Sequence, residues 1–239
     1  RLTRSASATG GSVSPRPSPP ATNDVRTPLR LLCGVLAASL IPTAAFAQST
    51  LCWTHDLGTL MAQGGSASTP VVNLPFAFPL AGGGTTTQIR ANTNGYIWLN
   101  GTNGSIDSSP TVTEMLAQDA RILAGWTDLE CNPGDDPAHG VFVNTTIQGR
   151  VVVTWIGNDL SYSVPVPNIV RMQVQMFPNG AFTITHRRVD QYYGTSTNTK
   201  HDMIVGVTEG GGATDPGPVD FTAGPVMSPI NPTIYEHFE

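Results

Sequence analysis

Past residue 47 this sequence is short of four things: helical periodicity, lysine, cysteine and apolar runs of membrane length. Without a sustained repeat of 3.6 residues, helical bundles and helix-covered parallel sheets are excluded. Lys200 is the only lysine of the whole chain, and a surface so poor in cations does not suit nucleic acid or anionic membranes. Three cysteines, scattered singly, make no zinc site, and the five histidines likewise show no ligand spacing. No G-x-S-x-G elbow is present, and no phosphate-binding glycine pattern leads into a helix, which removes the common nucleophile and nucleotide signatures. The longest apolar run, Leu31 to Ile41, has eleven residues, well below the roughly 20 that a membrane span needs.

What is there divides into three parts. Residues 1–24 are rich in Ser, Pro, Ala and Gly with no large apolar residue after Leu2, so they cannot bury a core and are expected to be disordered. Residues 25–47 carry Arg26 and Arg30, the apolar run, Pro42 and the small-residue end Ala45-Phe46-Ala47, the three parts of a secretory signal peptide. Cleavage after Ala47 would leave Gln48 to Glu239 as the folded domain. The chain begins with Arg rather than Met, which is expected of a fragment or of a start placed too far upstream.

Removing the leader changes the charge and the cysteine count. Seven Lys and Arg then face sixteen Asp and Glu, a balance of −9. Cys33 is lost with the leader, and Cys52 and Cys131 remain as an even pair in an oxidising compartment, expected to form a disulfide.

The domain reads as strands punctuated by turns. At its centre Val170, Met172, Val174 and Met176 alternate with Arg171, Gln173 and Gln175, the period of two that puts one face in a core and the other in water. Pro178-Asn179-Gly180 reverses the chain, and Phe182, Ile184 and His186 continue the alternation in a partner strand. Val151 to Ile156, preceded by the Gln148-Gly149 turn and Val141 to Ile147, supplies the strand before. Val71 to Phe78 holds Pro75 and so belongs at an edge or bulge, because proline offers no ladder donor. Thr87 to Ala91 and Tyr96 to Leu99 flank an Asn94-Gly95 turn, with Ile97 and Leu99 on one face and Tyr96 and Trp98 on the other. Thr113 to Gln118 reads as one helical turn, Arg121 to Thr127 as a buried strand, and Asp128 to Gly140 as a polar loop. Met203 to Val207, Val219 to Thr222 and Thr233 to Phe238 complete the series. Close-set strands with Gly, Pro and Asn turns predict an all-β antiparallel sandwich in one domain.

Several of these segments also carry a resemblance. Leu74-Pro75-Phe76-Ala77-Phe78-Pro79, Ala91 to Ile97, Ile122 to Leu129, Gly140 to Val143, Val151 to Trp155 and Val174 to Gly180 fall in the order and spacing of the nidogen-like (NIDO) domain over roughly residues 70–210. The segment Ala124-Gly125-Trp126-Thr127-Asp128 departs from that family's usual form, and residues 101–120 match none of it. The resemblance implies a secreted or cell-surface module of matrix, adhesion or mucin-type proteins, binding an extracellular protein or glycan, and it brings no catalytic residues with it.

Candidate site residues come from the polar loop and the rings. Asp128, Glu130, Asp135 and Asp136 offer hard oxygen ligands on one loop beside Cys131, the donors calcium takes, although their spacing fits no EF-hand or nonapeptide loop. Asp128 and Glu130 are also the one acid pair available to a hydrolase. Tyr96, Trp98, Trp126, Trp155, Tyr162, Tyr192 and Tyr193 are more rings than a small core has to hold. Trp126 and Trp155, set in apolar strands, are expected to be buried. Tyr192-Tyr193, after Asp190-Gln191, is the expected exposed pair for a partner or a sugar. The leading reading is a non-catalytic adhesion or structural module with no cofactor, followed by a carbohydrate-binding sandwich, with or without calcium, and then a hydrolase.

Overall fold

The structure is a computed structural model, and it describes residues 53–159, 169–190, 202–223 and 233–238. The expected disordered stretch 1–24, the leader 25–47, Cys52, Tyr162, Tyr192 and Tyr193 lie outside the described residues. Twelve strands make two antiparallel sheets among the described residues, and the sheets pack as a sandwich.

The first sheet holds β1 (Thr59–Ala62), β6 (Leu129–Glu130), β7 (Gly140–Asn144), β8 (Val151–Asp159), β9 (Ile169–Met176) and β10 (Phe182–Val189). Its order is β1-β7-β8-β9-β10, with β6 paired to β8 beyond the end of β7. The meander of β8, β9 and β10 is therefore half of this sheet, and β10 is its edge rather than its centre. The Pro178-Asn179-Gly180 turn closes with Phe177 N–H on Ala181 O at 2.9 Å and Gly180 at φ +83°. Val170, Met172, Val174 and Met176 all face inward, as their alternation predicts.

The second sheet holds β2 (Val72–Pro79), β3 (Thr85–Ala91), β4 (Tyr96–Trp98), β5 (Asp119–Trp126), β11 (Met203–Gly210) and β12 (Ile234–Phe238), in the order β12-β11-β5-β4-β3-β2. Pro75 sits on the edge strand β2, in the stretch between Asn73 and Phe78 where pairing with β3 breaks register. A helix, α1 (Val112–Ala117), falls where one turn was expected, while Val219 to Thr222 forms no strand and gives way to a 3₁₀ turn at Phe221–Ala223.

Two apolar clusters result. The main core joins the inner faces and includes Ile97, Leu99, Ile122, Val153, Trp155 and Met172. A second cluster, made by Tyr96, Trp98, Met115, Leu123, Trp126, Ile204 and Tyr235, lies on the outside of the second sheet beneath α1. The face assignment of β4 thus holds on both sides. Tyr96 and Trp98, on the face away from the main core, are nonetheless fully buried, because α1 and the chain before it cover that face.

Candidate functional site

The polar end of the molecule is organised by Asn92, Thr93 and Asn94, three polar side chains with no exposure at all. Such burial demands partners. Asn92 O accepts the indole N–H of Trp155 at 2.6 Å from the opposite sheet, and Asn92 Nδ2 donates to Ser105 O at 3.2 Å. Thr93 N–H donates to Ala67 O at 2.8 Å, and Thr93 Oγ1 accepts Ala67 N–H at 2.9 Å. Gly95, at φ +84°, turns its carbonyl to the N–H groups of Ala124 and Gly125 at 2.9 and 3.1 Å.

The chain that matched no pattern, residues 101–120, is held from below by rings. Tyr96 Oη donates to Ser105 O at 3.1 Å and accepts Asp107 N–H at 2.9 Å, while Trp98 and Trp126 donate their indole N–H groups to Ser105 O and Asp107 O at 3.0 and 2.8 Å. Thr111 caps α1, accepting Glu114 N–H at 3.2 Å and donating to Glu114 Oε2 at 3.0 Å. Sequence reasoning missed this loop because its order comes from rings on other strands and not from any periodicity of its own.

Beneath α1 the Arg121 guanidinium is shut among Trp126, Trp98 and Tyr96, its central carbon 4.4, 4.6 and 5.4 Å from the ring centroids. It donates to Glu114 O at 2.7 Å. Burial lowers its pKa to about 10, so it stays cationic at neutral pH.

Between this loop and the end of β5 opens a polar cleft of ≈390 Å³. Ser108, Ser109, Thr111, Thr127, Asp128 and Asp202 line it, an array of hydroxyls and two carboxylates. Thr127 is buried, and among the described residues its hydroxyl has no hydrogen-bond partner.

The structure parts the four acids proposed for calcium. Asp128 lines the cleft and Glu130 lies on β6. Asp135 and Asp136 belong to an exposed turn in which Asp136 Oδ1 accepts Ala138 N–H at 2.8 Å. Among the described residues no three His, Cys, Asp or Glu side chains come together as a metal site. Glu130 is near enough to the other acids for Asp135 and Asp128 to add to the effect of burial, and its carboxyl titrates above the usual range.

Cys131 is a free, buried thiol among the described residues, and Cys52, its expected disulfide partner, lies outside them. Its Sγ faces inward, 3.8 Å from Thr93 O. Trp53, the neighbour of Cys52, stacks on Arg187, and Thr54 exchanges hydrogen bonds of 2.8 and 2.9 Å with Gln173 on the outer face of the same sheet. Burial pushes the Cys131 thiol up to about 12.

Trp126 and Trp155 are buried, as their apolar strands led one to expect. His186 lines an apolar cleft of ≈430 Å³ between β10 and β12 with Ile184, Val205 and Phe238. One ring nitrogen of His186 bonds Ala124 O.

The family model described as NIDO related matches residues 45–215. The chain belongs to the NIDO-related family. The nidogen-like resemblance carried by Ala91 to Ile97 and Ile122 to Leu129 is thereby confirmed, and those two segments are the ones that build the buried Asn92–Gly95 turn and its β5 platform. No curated protein and no solved structure matches the chain. Among the described residues no helix is long and apolar enough to cross a membrane.

Proposed function

We propose that this chain is the extracellular module of a secreted or cell-surface protein and acts in adhesion or surface structure by binding, not by catalysis. The observation that supports this best is the NIDO-related match over residues 45–215, spread over both sheets of the sandwich. The basic, apolar and small-residue segments of residues 25–47 supply an export leader. Cells displaying the domain should adhere to surfaces coated with matrix proteins or surface glycans more than cells displaying an unfolded variant. Equal adhesion by both would remove this reading, and mass spectrometry of the exported protein should find Gln48 as its first residue.

A second reading rests on the cleft. Hydroxyls from Ser108, Ser109, Thr111 and Thr127 beside Asp128 and Asp202 are the groups that exchange hydrogen bonds with a neutral sugar. A glycan array read with and without chelator, and again with Asp128→Asn, tests it. A specific neutral-sugar signal lost in the variant supports this reading, and further loss on chelation would assign calcium a part in it.

A further inference from the structure

Two aspartyl–prolyl bonds occur in the chain, Asp136–Pro137 and Asp215–Pro216. Such a linkage is among the weakest in any polypeptide. An aspartate carboxyl oxygen can close a succinic anhydride ring on its own main-chain carbonyl carbon, as a carboxylate nucleophile does in covalent catalysis. The nitrogen that must then leave belongs to the tertiary amide of proline, which takes up a proton more readily than an ordinary peptide nitrogen. All four residues of the two bonds are exposed, so water reaches both.

The fold treats the two bonds differently. Both carboxyls are held beside their own backbone, since Asp136 Oδ1 accepts Ala138 N–H at 2.8 Å and Asp215 Oδ1 accepts Gly217 N–H at 2.8 Å. At the carbonyl under attack they part. His139 N–H donates to Asp136 O at 2.8 Å, so a donor already points at the oxygen on which negative charge would gather. That donor is fixed in place, because His139 is buried and its own carbonyl accepts Gln63 Nε2 at 2.7 Å. Among the described residues no N–H reaches Asp215 O. The Asp215 carboxyl is also engaged by the Tyr235 hydroxyl at 2.9 Å, which makes it a weaker nucleophile.

We propose that Asp136–Pro137 is a self-cleavage site, at which the folded domain converts itself into a module of two chains. An Asp136 carboxyl oxygen bonds to the Asp136 carbonyl carbon while His139 N–H holds the carbonyl oxygen. The bond from that carbon to the Pro137 nitrogen breaks, and the nitrogen keeps the electron pair and takes a proton from solvent. Water then opens the anhydride, so that Asp136 ends the first chain with both its carboxyls and Pro137 begins the second. The net change is one water added across one peptide bond. The break falls in the loop between β6 and β7, outside every ladder, and it need not release either piece. β1 pairs with β7, β6 with β8 and β5 with β11, and each of these pairings joins chain before the break to chain after it. The cleavage draws on neither the adhesive role nor the cleft, so it stands apart from both.

The test is incubation of the purified, folded full chain in mildly acidic buffer, with the products read by denaturing gel and mass spectrometry. A break between Asp136 and Pro137 is expected, at least about tenfold faster than any break between Asp215 and Pro216, since a buried oxyanion donor is worth about 10²–10³ in rate and an exposed one less. In urea at the same pH that preference should vanish, because no donor is held there. Asp136→Asn keeps an acceptor for Ala138 N–H but offers a poorer nucleophile, and it should leave the chain whole. Asp135→Asn should be cut like the parent. Without denaturant the two pieces should elute together in gel filtration. No break at Asp136–Pro137, equal rates at the two bonds in the folded chain, a preference that survives in urea, an undiminished break in Asp136→Asn, or pieces that separate without denaturant would overturn the proposal.

Discussion

An arginine enclosed by three aromatic rings is stabilised by contacts that alanine cannot replace. Arg121→Ala would leave Glu114 O without its donor and a gap among Tyr96, Trp98 and Trp126, and it should cost about 3 kcal/mol in a urea titration. Arg121→Met should cost less, because an apolar chain of similar length refills the space without a charge to desolvate. Glu130 titrates in the opposite sense to a carboxylate held by a cation: burial and the neighbouring Asp135 and Asp128 raise its pKa in the fold. The folded state therefore binds the proton more tightly than the unfolded chain, and ionisation costs stability as pH rises through the raised value. Glu130→Gln should raise the melting temperature at neutral pH, with the gain vanishing in acid below the unfolded carboxyl range. Cys131, buried and with its thiol pushed up to about 12, should resist iodoacetamide in the native protein at neutral pH. Unfolding without reductant should let it react, and a Cys131 peptide that stays unlabelled would restore the bridge.

Among the elements, the Asn92–Gly95 turn does more than reverse the chain. It joins β3 to β4, accepts the Trp155 indole from the other sheet and anchors the start of β5. A Cβ on Gly95 would stand 2.2 Å from Gly125 O, and the +84° φ strains any other residue. Gly95→Ala should therefore cost about 3 kcal/mol or more, read as a fall in the denaturation midpoint. The turn itself was legible in Asn94-Gly95, since that dipeptide supplies positive φ. Its burial was not, because the partners that satisfy Asn92 and Thr93 are Trp155, Ser105 and Ala67, distant in sequence.

At the scale of the whole molecule, the sandwich extends beyond the region matched by the family. The match ends at residue 215, yet β12, at 234–238, pairs along β11 and brings Tyr235 into the second cluster, its hydroxyl donating to Asp215 Oδ1 at 2.9 Å. Ending the chain at residue 232 should uncover β11 and the side of the Trp126 cluster. We expect a fall in melting temperature of about 5 °C or more, read by circular dichroism. In the acidic loop Asp135 and Asp128 are near enough to act on Glu130, yet among the described residues no three acids come together as a metal site.

Alternation by itself determined the strands of the β8–β10 meander and their inward faces, because a period of two is a local property of a sheet with one buried face. Thr59–Ala62 and Leu129–Glu130 carried no such pattern, and Val219 to Thr222 formed no strand. The glycine and proline turns likewise needed only their own dihedral preferences. Strand order, the second core under α1 and the cleft beside Asp128 were decided by tertiary structure alone. They depend on which distant strands lie side by side, and that is set by the joint packing of the two sheets rather than by any one segment.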